Sequence, residues 1–268
     1  MILRLKDFLS ELETIAPTRL AEPWDNPGLQ VGSLPQEIRK VVFSLDPTLK
    51  ALVSASKANA QLLFTHHPLI FRPVSRLDIN SFPGDVVAEA VRRGVSIVAA
   101  HTNVDVTSGG INDILANLMG LENVEVLKGI EKVDGVGLGR IGDLPEPVQL
   151  TTVAKNVRKI LGRQDIKVVG KRDALIRRLA VVGGSGGSLV SLAHEKGAEL
   201  LLTGDVGHHS ALEAESLGMA LLDGGHFQLE RTAFRVFVKD LDKMLKAKGW
   251  EVTIERDEEE TDPVWIEY

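Results

Sequence analysis

The sequence predicts an α/β protein with two similar lobes, each built on a mainly parallel sheet flanked by helices. Strand-like apolar runs alternate with helical segments along most of the chain, which is the pattern of parallel sheets. The order of segments recurs in the second half, where residues 196–205 align with 58–67 and residues 217–230 align with 94–105. This approximate internal duplication predicts two lobes of similar topology with a metal cleft between them.

The first lobe is predicted over residues 1–125. An amphipathic helix begins it, because Leu5, Phe8 and Leu12 recur at helical spacing. A turn signature follows at residues 25–28. The remaining predicted elements of this lobe are strands at 40–46, 60–67 and 95–101 and helices at 47–60, 85–93 and 109–121.

The second lobe is predicted over residues 126–268, and its C-terminal strands are candidates to pack back on the first lobe. Residues 122–175 are interpreted as a connection with a small strand–helix unit. The other predicted elements are strands at 177–184, 198–205, 219–226, 250–256 and 263–268 and helices at 151–162, 188–197, 208–218 and 231–248. The acidic run at 257–262 is interpreted as a solvated turn.

Composition excludes several functional classes. The chain has no cysteine, so disulfides, thiolate metal sites and cysteine nucleophiles are all absent. A net charge of −6 argues against a general nucleic-acid binder, although a local basic patch at Arg172, Arg177 and Arg178 keeps that reading as a weak alternative. No apolar run is long enough for a membrane span, and charges interrupt the apolar positions at the N-terminus. The default location is therefore the cytoplasm.

A histidine followed four residues later by a carboxylate occurs twice, each time after an apolar run. His101 precedes Asp105, and His226 precedes Glu230. Imidazole nitrogens and carboxylate oxygens are ligands for divalent transition metals, and sites in parallel sheets form at the carboxyl ends of strands. A single such pair is equally compatible with a polar helix turn, but the second copy favours a metal site that holds two ions.

Other histidines and one acid extend this pattern. His66 and His67 end an apolar strand, and the duplication places Asp205 at the position of His67. Asp205 is compatible with a ligand, a hydrogen-bond partner of a ligand or a helix cap, and we favour the last two. His208 and His209 are interpreted as helix-start residues near the cleft that face the substrate.

A glycine-rich run, GGSGGS at residues 183–188, follows a predicted strand and opens a helix. Its backbone N–H groups could hold an anion, but a tight strand-to-helix turn is the favoured interpretation. It matches neither the phosphate-binding loop nor the dinucleotide-binding pattern.

With WDNPGLQVG, FTHHPLIF, AHTNVDV, LLTGD and DGGHFQLER in this order, the chain resembles the NIF-three-like family. Members of that family are also called GTP cyclohydrolase I type-two homologues. The resemblance covers nearly the full length. It implies a two-lobed α/β protein, a dinuclear metal site and a homohexameric ring whose sites face an inner cavity.

The resemblance also implies a ligand set. Carried over residue by residue, the metal ligands are His66, His67, Asp105, His226 and Glu230. His101 is less often counted as a ligand in the family, whereas the duplication makes it one; we expect it, like Asp205, to support the ligands. Two divalent ions per subunit are implied, and nitrogen and oxygen ligands suit Zn, Fe, Mn, Co or Ni alike.

The function predicted is a metal-dependent hydrolase acting on a purine nucleotide such as GTP, with ring opening at the imidazole carbon. Five protein ligands for two metals leave open coordination positions, which favours chemistry. His101, His208 and His209 are all candidates for proton transfer. The alternative is a non-catalytic metal-binding or regulatory adaptor protein.

Overall fold

The computed structural model describes residues 1–130 and 133–264 of this α/β protein. The strands are β1 (Leu3–Arg4), β2 (Gly28–Val31), β3 (Glu37–Ile38), β4 (Lys40–Ser44), β5 (Leu62–Thr65), β6 (Ser96–Ala99), β7 (Glu122–Ile130), β8 (Val133–Gln149), β9 (Lys167–Val169), β10 (Leu175–Ser185), β11 (Leu200–Gly204), β12 (Ala220–Asp223) and β13 (Thr253–Arg256). The helices are α1 (Leu5–Ile15), α2 (Leu49–Lys57), α3 (Gly84–Arg93), α4 (Thr102–Val106), α5 (Ile111–Leu118), α6 (Leu150–Leu161), α7 (Val190–Glu195), α8 (His208–Ser216) and α9 (His226–Ala247), with short 3-10 turns at Thr18–Leu20 and Gly187–Leu189.

The chain divides into two compact units. The first comprises Met1–Val104 together with the chain from Val236 onward, and the second comprises Asp105–Arg235. Each unit contains its own large sheet, and a short antiparallel pair, β1 with β3, lies in the first unit.

The sheet of the first unit has the strand order β13-β4-β5-β6-β2. Strands β13, β4, β5 and β6 are parallel, and β2 pairs antiparallel with β6 at the edge. All four residues of β5 and all four of β6 are buried, as expected for strands covered on both faces. Thr65 pairs with Ala99, so the segments that follow β5 and β6 leave the sheet side by side.

The sheet of the second unit has the strand order β7-β8-β10-β11-β12-β9. Its centre, β10-β11-β12, is parallel, and the outer strands β7, β8 and β9 pair antiparallel. Three consecutive parallel strands thus occur in the same order in each unit, as β4-β5-β6 and β10-β11-β12. This recurrence is the topology that the sequence duplication predicts.

Each unit is built around its own aliphatic core. In the first, Leu52, Leu63 and Ile97 are completely buried between the sheet and its helices. In the second unit, Val182 and Leu201 are completely buried in the core. Burying one such side chain contributes about 1.5–3 kcal/mol, so these aliphatic clusters fix the strands that carry the candidate site.

Several elements differ from the sequence predictions. Residues 122–130 and 133–149 form the long antiparallel pair β7–β8, where a connection was predicted. Helix α9 begins at His226 rather than 231, because β12 ends at Asp223 and two glycines follow before the helix. Residues 265–268 of the last predicted strand lie outside the described residues.

The acidic run is also different from its prediction. Asp257 is buried, with 3% of its surface exposed, and its Oδ1 accepts a hydrogen bond from Oγ of Ser54 at 2.7 Å. Glu260 accepts hydrogen bonds from Oγ of Ser44 and from the backbone N–H of Leu45. The solvated-turn interpretation is therefore wrong for these two carboxylates. Asp257 ties the C-terminal segment to α2, and Glu260 ties it to the end of β4.

Among the described residues, no helix is long and apolar enough to cross a membrane.

Candidate metal centre

Three histidines of the first unit lie together at the carboxyl ends of β5 and β6. His66 and His67 follow β5 directly, and His101 follows β6. Each offers one ring nitrogen to a group whose atoms all lie within 4.8 Å of one another. The ring centroids are 5.1 Å apart for His66 and His67, 5.3 Å for His66 and His101, and 5.4 Å for His67 and His101.

The three rings share one hydrogen-bonding pattern. Nδ1 of His66 lies 2.8 Å from the carbonyl oxygen of Ala100. Nδ1 of His67 lies 2.8 Å from Oδ1 of Asp46, and Nδ1 of His101 lies 2.8 Å from Oδ1 of Asp25. Since all three partners are acceptors, each Nδ1 donates a proton to its partner, so Nε2 is the ring nitrogen through which each histidine would bind an ion. Metal-binding histidines are oriented in the same way.

Asp25 is the most constrained of these acceptors. Its side chain is fully buried, and its Oδ2 accepts hydrogen bonds from the backbone N–H of Thr102 at 3.0 Å and from the Thr102 hydroxyl at 2.5 Å. Burial by itself raises the pKa of Asp25, but the hydrogen bonds from His101 and Thr102 outweigh it and lower the pKa to about 2. Asp25 is therefore ionised at neutral pH and holds the His101 ring in place.

In the second unit, His226 lies between two carboxylates. Its Nδ1 is 2.7 Å from Oδ2 of Asp205, and its Nε2 is 2.9 Å from Oε2 of Glu230, one turn further along α9. The hydrogen bond to Glu230 raises the pKa of His226 to about 9; burial opposes this shift, and Asp205 reinforces it. Asp205 thus contacts Nδ1 of His226 as Asp25 contacts Nδ1 of His101 and Asp46 contacts Nδ1 of His67.

Glycines make room for this pair. A Cβ at Gly184, whose φ is +65°, would overlap Oε1 of Glu230, and a Cβ at Gly204 would overlap the backbone of His226. Gly184 belongs to the GGSGGS run, in which β10 ends at Ser185 and a 3-10 turn follows. The run therefore forms the expected strand-to-helix turn, and it also lets the backbone of β10 approach Glu230.

The remaining predicted residues are spread over the second unit. Asp105 is buried, and its backbone carbonyl accepts a hydrogen bond from Nδ2 of Asn112 at 2.8 Å. His208 and His209 begin α8, as expected, and both are exposed. Of the candidate basic patch, Arg178 forms ion pairs with Asp143 at 3.0 Å and Glu125 at 3.3 Å, so its charge is matched within the chain.

A cavity of about 490 Å³ in the first unit adjoins the three-histidine group. His67 is the member of the group that lines it, together with Asp46, Lys50, Phe82 and Glu260. A cavity of this size is typical of a small-molecule site.

The donor set fits divalent transition metals. Every candidate ligand atom is an imidazole nitrogen or a carboxylate oxygen, which are the ligands that Zn, Fe, Mn, Co and Ni accept. Two ligand atoms that share one ion at about 2.1 Å each lie roughly 3 Å apart. The 2.9 Å between Nε2 of His226 and Oε2 of Glu230 meets this requirement.

These observations define a class: an α/β protein with histidine and carboxylate groups at the carboxyl ends of parallel strands. The chain belongs to the Duf34/NIF3 (NGG1p interacting factor 3) family, whose model matches residues 3–263. The resemblance inferred from the sequence motifs is thereby confirmed.

Individual relatives are similar over nearly their whole length. A protein of Clostridium perfringens named GTP cyclohydrolase 1 type 2 homolog is 30% identical over 262 residues, covering 97% of this chain and 98% of the relative. The Helicobacter pylori protein named GTP cyclohydrolase 1 type 2 is 35% identical over 251 residues, which covers 94% of this chain and 95% of that relative. The crystal structure of a Bacillus cereus protein related to NIF3 superposes with a TM-score of 0.91 at 27% identity. The superposition covers 99% of this chain and 100% of that protein.

Sequence reasoning found the histidines but not the groups that orient them. Asp25 was interpreted only as part of a turn, and Asp46 only as the end of a strand. The available signal for Asp46 was its position two residues after β4, which pairs with the strand that leads to His67. Asp25 carried no local signal, because it lies 76 positions before the ring it holds.

Proposed function

We propose that this protein is a metal-dependent hydrolase of the GTP cyclohydrolase type-two kind. In this proposal His66, His67, Asp105, His226 and Glu230 bind two divalent metal ions per subunit. The substrate is a purine nucleotide, and the reaction is hydrolytic opening of its imidazole ring.

One observation supports the proposal above the others. His66, His67 and His101 are all held through Nδ1, which makes Nε2 the ring nitrogen that would bind an ion, and each offers one ring nitrogen to a group within 4.8 Å. A group of histidines that served only to pack would not require the same hydrogen bond three times. Because His101 shares this arrangement, we add it to the ligand candidates.

Each of the chain's own residues has a defined task. Asp25, Asp46 and Asp205 accept the Nδ1 protons of their histidines, which orients the rings and makes them more basic. Asp105 and Glu230 are buried acids that supply negative charge to the site. These residues would hold divalent ions, which would supply Lewis-acid chemistry for the attack of water on the substrate near neutral pH.

The substrate class rests on the relatives. One relative is named GTP cyclohydrolase 1 type 2 and another GTP cyclohydrolase 1 type 2 homolog. The cavity beside His67 also has the volume of a small-molecule site. The homohexamer that the family resemblance implies and the cytoplasmic location expected from the sequence belong to the same proposal. Light scattering of the purified protein tests the homohexamer.

The decisive experiment combines metal content with turnover. Untagged protein is analysed for bound metals, and each metal is restored to stripped protein before GTP and other purine nucleotides are supplied. We expect His66→Ala and His226→Ala to lose metal and turnover together. His194→Ala, which removes an exposed histidine from α7, is the matched control and should behave as wild type.

Two results would separate this proposal from its alternative. Metal binding without hydrolysis of any nucleotide, under every metal, would favour a non-catalytic metal-binding or adaptor protein. Retention of full metal content by both histidine variants would contradict both readings.

A further inference from the structure

Two exposed aromatic rings stand beside His101 in the first unit. The ring centroid of Trp24 lies 6.0 Å from that of His101, and the centroid of Phe71 lies 6.3 Å from it. The two aromatic centroids are 5.5 Å apart, with their planes tilted by 54°. Despite these contacts, Trp24 remains 55% exposed and Phe71 remains 43% exposed.

The loops that carry these rings are fixed. Asp25, the next residue after Trp24, is the buried carboxylate that holds His101. Nδ2 of Asn26 donates to the carbonyl oxygen of Ile70 at 2.6 Å, and the N–H of Ile70 donates to Oε1 of Gln30 at 3.1 Å. The chain that follows Trp24 and the chain that precedes Phe71 are therefore held by hydrogen bonds, while both rings remain partly exposed to solvent.

We propose that Trp24 and Phe71 form a stacking surface for the planar aromatic ring of the substrate, which binds beside His101. Aromatic faces exposed on a fixed scaffold next to polar groups are well suited to stacking a heterocycle, because every such ring offers a π-face. The inference deepens the proposed function, on which it rests for the identity of the ring as a purine. It assigns to Trp24 and Phe71 a role in binding and in specificity for planar rings.

The test measures the binding of three probes to metal-loaded protein by calorimetry. GTP carries the base and the phosphates, guanosine carries the base without phosphates, and tripolyphosphate carries the phosphates alone. We expect Trp24→Ala to weaken binding of GTP and guanosine by about 5- to 100-fold, which is the range for loss of one stacking partner. Binding of tripolyphosphate and the metal content should not change.

Matched variants sharpen the comparison. Trp24→Phe retains an aromatic face and should recover most of the affinity, and Phe71→Ala should weaken both base-containing probes. Val91→Ala removes exposed apolar surface from α3 and should leave all three affinities as in wild type.

Several outcomes would overturn the inference. One is that Trp24→Ala binds guanosine as tightly as wild type does. Another is that Trp24→Ala loses the same affinity for tripolyphosphate as for GTP. A third is that wild type binds neither GTP nor guanosine. A smaller assembly of Trp24→Ala in light scattering, with unchanged affinities, would show instead that the rings cover a contact between copies of the chain. If binding depends on Trp24 but no nucleotide is hydrolysed, the stacking surface stands and the proposed hydrolase fails.

Discussion

Asp25 and His101, 76 positions apart in the chain, are joined by a 2.8 Å hydrogen bond in which the carboxylate is fully buried. The same carboxylate accepts the N–H and hydroxyl of Thr102, so it fixes both the ring and the start of α4. The backbone N–H of Asn26 donates a fourth hydrogen bond, at 2.7 Å, and a buried carboxylate with four donors is strongly favoured in its ionised form. The candidate metal centre thus depends on a charge outside the set of ligands.

This relationship predicts a pH-dependent loss of stability in Asp25→Asn. The pKa of Asp25 is lowered from 3.8 to about 2 in the folded protein, so its contribution is present above the unfolded pKa and is lost as the pH falls through about 2. We expect the metal-free variant to unfold with about 2 kcal/mol less free energy than wild type at neutral pH. Urea unfolding should show this difference narrowing as the pH drops below about 4.

The control for that measurement is Asp240→Asn. Asp240 forms an exposed ion pair with Lys243 on α9, and such pairs contribute little to stability. A stability difference between wild type and Asp25→Asn that does not change with pH would contradict the assignment of the low pKa to Asp25.

Asp46 provides a second prediction, which concerns metal affinity. Asp46→Ala removes the acceptor of the Nδ1 proton of His67, so the ring loses its fixed orientation and part of its basicity. We expect metal affinity to fall by about 10- to 100-fold with little change in stability. Competition with a chromogenic chelator measures the affinity, and Asp173→Ala at an exposed turn is the control. Equal affinities of the two variants would show that this hydrogen bond does not serve metal binding.

The sequence predicted the parts of the molecule that depend on local pattern. Buried runs such as those ending at His66 and His101 have clear apolar signatures, so the strands and the residues after them could be placed. Helix α1 was predicted for the same reason, since Leu5, Phe8 and Leu12 are the residues it buries.

Features that depend on distant contacts were not predictable in this way. Strand β8 is rich in glycine, which disfavours strands, but its pairing with β7 and β10 overrides that preference. A Cβ at Gly137 would overlap the backbone of Lys128, so the glycine follows from the pairing and carries no local strand signal. The hydrogen bonds of Asp25 and Asp46 to histidines are likewise contacts between segments far apart in the chain.

The buried Asp257 gives a third prediction. Its Oδ1 accepts hydrogen bonds from Oγ of Ser54 at 2.7 Å and from the N–H of Glu259 at 3.1 Å. Asp257→Ala leaves both donors without their acceptor, and we expect it to lower the free energy of unfolding by about 1–3 kcal/mol. Glu259→Ala changes an exposed acid two residues away and keeps the backbone donor, so it should have almost no effect. Equal stability of the two variants in urea would mean that the C-terminal segment does not depend on this carboxylate.

Gly184 gives a selective test of whether Glu230, in the second unit, is a metal ligand. Gly184→Ala places a methyl group against Oε1 of Glu230, whose side chain can move away, so the carboxylate shifts while the fold persists. Gly218→Ala is the matched control, because its φ of +69° is close to the +65° of Gly184 but its Cβ would meet nothing within 4 Å. Both substitutions carry a similar backbone cost of about 1–2 kcal/mol. We therefore expect Gly184→Ala to lose more stability than Gly218→Ala, because it also displaces the carboxylate that lies 2.9 Å from Nε2 of His226. We expect weaker metal binding in Gly184→Ala alone, measured by chelator competition on the same preparations. Equal metal affinity in the two variants would show that Glu230 is not a ligand, since displacing its carboxylate would then have no consequence for the ion.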